Sequence, residues 1–235
     1  MELNFSTKKT TLILVVVVLF LTIASLAGQF SKHVLGHDHL RGLVPLFNVN
    51  TEGNLPTWYT SFAILLCAVL LFVIARARKS EGDRYSFHWM LLALIFLYIS
   101  VDEGAGVHDA LDFSLPSIGY LNSAPRYIRM LPVAILLLVF GFIYLKFLFY
   151  LPARTRLLFI VAGTLYVGGA FGMGFVMERY ATRHGWDNMT LEMLAALEEF
   201  MEMIGIVIFI YALMSYMETH LKEMRVRIGD GAEKA

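Results

Sequence analysis

Asp102 and Glu103 close one apolar run of this chain, and Glu198, Glu199 and Glu202 open another. Carboxylates set against hydrocarbon are costly to ionise and are retained where they face a bundle interior and hold a proton or another cation. At about 100° per helical residue, Glu198 and Glu202 lie about 40° apart, Glu199 and Glu202 about 60°, and Glu192 falls about 20° from Glu199. A helix through these positions therefore carries one acidic stripe. At a rise of about 1.5 Å per residue, Glu103 lies about 21 Å beyond Trp89 and Glu202 about 22 Å before Met217. If Trp89 and Met217 mark the inner ends of their helices, the two carboxylates share a level. The spacing thus predicts a cation-binding or proton-relay site built from Asp102, Glu103, Glu198, Glu199 and Glu202, in which Glu103 and Glu202 face each other.

Softer ligands lie near the same end. The string His33-Val34-Leu35-Gly36-His37-Asp38-His39 sets two imidazoles four apart and a third just beyond. Neutral imidazole suits zinc, copper or iron, and an i, i+4 pair can chelate from one helical face. With His108, these residues form the expected metal set: His33, His37, His39 and His108. A regular helix would hold Glu103 and His108 about 140° apart, so Gly104 and Gly106 would have to loosen the backbone for both to reach one cavity.

Other chemistries lack their residues. No Glu-x-x-His pair is available for a di-iron carboxylate centre. Neither a Gly-x-Ser-x-Gly elbow nor a P-loop occurs. Cys67 is the one cysteine, which excludes an intrachain disulfide framework and any CxxC site. Nineteen basic and nineteen acidic residues cancel to a net charge of +0, leaving no field for nucleic acid.

The elements that must position the acids are read from hydropathy. Hydrophobic residues make up 58% of the chain and charged residues 16%, against about 25% charged in soluble domains; the mean hydropathy is +0.66. A bilayer core of about 30 Å needs about 20 helical residues. Thr10 to Gly28, Leu55 to Ala75 and Leu157 to Met177 meet that length without a charge, and Met130 to Leu151 does so if Lys146 snorkels. Trp89 to Val101 and Met203 to Met217 are too short alone, so their helices must recruit the acidic residues beside them. The expectation is an all-α, single-domain bundle over residues 1–235 with six transmembrane helices, about 10–29, 57–76, 88–108, 129–150, 156–178 and 192–217. Gly168 and Gly172 fall in small-xxx-small spacing, which suits close helix packing. The inner halves of the third and sixth helices are nearly all apolar, so Tyr98, Ser100, Thr164, Tyr166 and Tyr211 are the few polar candidates for a relay.

Lys and Arg collect on one side of this map, at Lys8, Lys9, Arg76, Arg78, Lys79, Arg84, Arg154 and Arg156 and in the C-terminal segment. The positive-inside rule then puts both termini in the cytoplasm, in what is expected to be the bacterial inner (plasma) membrane. A rival reading of the first run is a signal peptide, with Lys8 and Lys9 before it and Ser25-Leu26-Ala27 as a small-x-small cleavage site. The expected function is a cation-binding multi-pass protein, a small transporter, channel or sensor whose cation is a proton or a divalent transition metal. The alternatives are a metal-dependent hydrolase or oxidoreductase acting on a lipid or small apolar substrate, and an accessory or scaffold subunit. The expected partners are the lipid bilayer and either further copies of this chain or another membrane-complex subunit.

Overall fold

The computed structural model describes residues 6–37, 39–107 and 131–221. His108 and Asp38 lie outside the described residues.

Every regular element among the described residues is helical. Helix α1 runs Thr7–Leu35, the short α2 Leu43–Phe47, α3 Leu55–Ser80, α4 Ser86–Ala105 and α5 Leu131–Tyr150. Helix α6 (Ala153–Val167) passes through one π-helical segment (Gly168–Met173) into α7 (Gly174–His184), and α8 spans Met189–His220. By length and composition, α1, α3, α4 and the α6–α7 rod Ala153–His184 can each cross a membrane. The chain is thus an all-α protein with the helices of an integral membrane protein, and the flanks of these helices follow local chemistry. Asn54 caps α3 by accepting from the Thr57 N–H at 3.1 Å, with Pro56 in the first turn. Asn188 caps α8 in the same way through Leu191.

Helix α8 is the axis. Met203, Val207, Ile210 and Leu213 on it are at most 1% exposed. Toward its C-terminal end it packs on Trp89, which is fully buried and meets Phe147 edge-on at 5.0 Å and Tyr216 at 5.1 Å. Val18 and Leu21 of α1 join Met203 and Val207 in a second cluster. The Arg78 guanidinium near the end of α3 donates to the Tyr216 hydroxyl at 2.8 Å and to Glu81 at 2.6 Å, Arg154 donates to Tyr211 at 2.6 Å, and Thr7 bonds Glu218.

Two close approaches set the register around the acidic stripe. Helices α3 and α4 are clamped by reciprocal bonds: the Ser61 hydroxyl donates to the Ser100 carbonyl at 2.8 Å, and the Ser100 hydroxyl to the Ser61 carbonyl at 2.9 Å. Helices α6 and α8 cross where Gly205 has no side chain, since a Cβ there would lie 2.9 Å from the Ala162 carbonyl oxygen and 3.1 Å from the Tyr166 nitrogen. One turn along, a Cβ on Gly169 would lie 2.9 Å from Glu202 Cγ and 3.0 Å from the Glu198 carbonyl oxygen. The Gly168/Gly172 pair expected at this contact is not what makes it. Gly168 has only the flexible Met201 tip at 3.6 Å, and Gly172 has nothing within 4 Å. Ala162, Tyr166 and Gly169 share one helical face at i, i+4 and i+7, and Gly168 lies about 100° from Gly169, off that face.

Candidate functional site

The last turn of α4 brings Glu103 to the end of the bundle where α8 begins. Gly106 stops α4 there by taking a left-handed φ of 59° and donating its N–H to the Asp102 carbonyl at 2.8 Å. Residue 108, to which the sequence reading carries this helix, lies outside the described residues. Glu52, in the turn between α2 and α3, folds over the same end, its Oε2 lying 3.3 Å from where a Gly106 Cβ would be. Glu198 and Glu199 lie on the facing stretch of α8, two to three turns from its start, and Glu198 is 8% exposed.

These four carboxylates line one cavity of about 190 Å³ together with Asn50, Thr51, Thr57, Val49, Met177 and Ala195. Glu103, Glu198 and Glu52 all lie within electrostatic range of the Glu199 carboxyl. The wall adds its own negative potential, because the C-terminal end of a helix carries about half an electron charge and Glu52 and Glu103 flank that end of α4. Glu202 is not among the residues lining this cavity. Its Cγ lies against Gly169, and its carboxyl, with those of Glu103, Glu199 and Asp102, acts on the Tyr166 hydroxyl.

Of the relay candidates, Tyr166 alone stands among the acids. Ser100 is committed to its clamp with Ser61. Tyr211 accepts from Arg154, and Tyr98 and Thr164 are exposed on the outside of the bundle.

The three described histidines of the expected metal set are separated. His33 is still on α1, Gly36 ends that helix with φ 72° and its N–H on the Ser31 carbonyl, and His37 and His39 follow as exposed residues. The i, i+4 pair therefore does not share a helical face, because the left-handed glycine falls between its members. His33 instead turns toward α8, its Nε2 3.9 Å from Glu192 and 3.9 Å from Asp187. Among the described residues, no group of three or more His, Cys, Asp or Glu is gathered so as to hold a metal ion. His108 lies outside those residues.

Sequence reasoning missed Glu52, Asn50, Thr51 and Thr57. Asp38 and Glu52 are the acids of the Gln29–Asn54 connection, and Asn48-Val49-Asn50-Thr51-Glu52 is polar enough to have marked a turn. Nothing in that string says that it folds back over α4.

The sequence profile of a domain of unknown function, DUF8692, matches residues 11–217, and the chain belongs to this family. No curated protein and no solved structure matches the chain.

Proposed function

We propose that the protein is a multi-pass membrane protein, with six spans and cytoplasmic termini, that takes up a cation, foremost the proton, at the carboxylate cavity near the outer leaflet, as a small transporter, channel or sensor. One observation carries the reading: four carboxylates from a loop, α4 and α8 line a single cavity at the negative end of α4. Like charges gathered in a low-dielectric wall repel unless a cation is shared among them. The acids line the cavity rather than gather at metal-ligand distances, which favours a proton over a chelated transition metal.

Infrared difference titration of the purified protein tests this directly, because a protonated carboxyl has a C=O stretch that its carboxylate lacks. The wild type should show such bands responding to pH, and Glu199→Gln or Glu103→Gln should remove intensity and alter the remaining profile, since coupled groups titrate together. A profile identical in wild type and both variants would remove the site.

Topology has its own test. His37→Cys should react with an impermeant thiol reagent in intact cells, and Ser80→Cys should not. Both positions are exposed, and the native Cys67 is buried and contributes no background. The reverse labelling pattern would invert the map.

A further inference from the structure

The outer ends of α1 and α8 meet along a seam that is polar and incompletely bonded. Gln29 is 2% exposed, and its Oε1 is buried with no hydrogen-bond partner; His33 Nε2, one turn further out on the same face, is in the same condition. Buried polar atoms without partners are rare in native proteins and mark a place where water or an exchanging proton belongs. The His33 side chain is 14% exposed and stands between two acids of opposite character. On one side is Asp187, 82% exposed and paired with Lys32 at 3.4 Å; on the other is Glu192, only 11% exposed. Among the described residues the charged groups facing His33 are Asp187 and Glu192 from the α8 side and Lys32 from its own helix.

Glu192 leads inward. Its Oε2 accepts from Asn50 Nδ2 at 3.3 Å, and Asn50 is part of the cavity lining. On α8 it occupies the same stripe as Glu199, two turns and about 10 Å away. Ala195, one turn on from Glu192, lines the cavity.

We infer that His33 and Glu192 are the proton-exchange pair through which the carboxylate cavity communicates with the outer solution. The inference rests on the proposed cation-binding reading of that cavity. His33 Nε2 takes a proton from water on the Asp187 side, converting imidazole to imidazolium. It then gives that proton to Glu192 Oε1, which becomes a carboxylic acid as the neutral imidazole is restored. Glu192 releases the proton to cavity water and so to Glu199, Glu198, Glu103 or Glu52. Each 3.9 Å separation is about 1 Å longer than a hydrogen bond. An imidazole suits this position because its ring nitrogens can each accept or donate a hydrogen.

The test is a pH jump on the full chain in phosphatidylcholine vesicles, following the cavity carboxyl infrared band identified by its loss in Glu199→Gln. His33→Gln should slow protonation of that band by at least about tenfold, the low end of what a positioned acid–base group contributes, and leave its equilibrium midpoint in place. Glu192→Gln, which alters the second carrier and spares the histidine, should slow the same step. Imidazole added to the buffer should restore the rate in His33→Ala. An unchanged rate in both His33→Gln and Glu192→Gln overturns the inference, as does a shifted midpoint at unchanged rate, which would make His33 an electrostatic neighbour only. A wild type whose carboxyl bands ignore pH overturns the cavity reading itself, and the two failures are thus told apart.

Discussion

Gly205→Ala should lower the stability of the folded bundle by about 1–3 kcal/mol or more, the range for overpacking a tight contact. The added carbon would meet the Ala162 carbonyl oxygen at 2.9 Å and the Tyr166 backbone nitrogen at 3.1 Å. Both obstacles are backbone, so no rotamer change relieves them; α6 must move away from α8. That movement would also carry Tyr166 and Gly169 away from Glu202, so the variant should disturb the acidic stripe as well as the fold. Gly163→Ala is the control on α6, where nothing lies within 4 Å. There alanine should be neutral or stabilising by up to about 1 kcal/mol through helix propensity. Unfolding midpoints in detergent or bicelles measure both. Equal midpoints for Gly205→Ala and wild type would mean that the α6–α8 crossing is looser than its geometry indicates.

Neutralising the stripe should cost function without costing the fold. Glu103→Gln and Glu202→Gln are each expected to reduce acid-pulse-driven proton entry into proteoliposomes by more than about tenfold, the scale of one proton-transfer group, with the thermal midpoint unchanged. Glutamine keeps the shape and the hydrogen-bonding capacity of glutamate but cannot carry a charge. The two residues stand on different helices and lie on different sides of the cavity wall, yet both act on the Tyr166 hydroxyl. Alanine at either position should lower stability by about 1–3 kcal/mol instead, by stranding the groups that bond the carboxyl. If the acids only hold helices together, glutamine will be nearly silent in the flux assay and alanine alone will matter. Wild-type entry no faster than that of empty liposomes would exclude transport and leave a binding or sensing role.

The all-helical class and the membrane character were legible in the sequence because both depend on quantities that add along the chain. A bilayer requires every backbone group to be satisfied within its own segment, so runs such as Thr10 to Gly28 and Leu55 to Ala75 have one solution, the helix, whatever surrounds them. The acidic stripe of α8 was legible for the same kind of reason, since angular spacing on a helix is set by the backbone.

Long-range relations were not legible. Glu52 is three residues from the start of α3 but lines one cavity with Glu103 and Glu199, in a turn where Asn54 bonds the carbonyls of Asn48 and Thr51 at 2.6 Å each. Gly168 and Gly172 carry the spacing of a packing motif, yet Gly169 makes the contact, because it shares with Ala162 and Tyr166 the face that meets α8. His33 and His37 have the spacing of a chelating pair, and one left-handed residue, Gly36, parts them. Residue type and period thus determined which side chains could do chemistry and that a membrane would hold them. Tertiary structure alone decided which of them meet, because a single left-handed glycine or turn redirects everything after it while leaving the local pattern of the sequence unchanged.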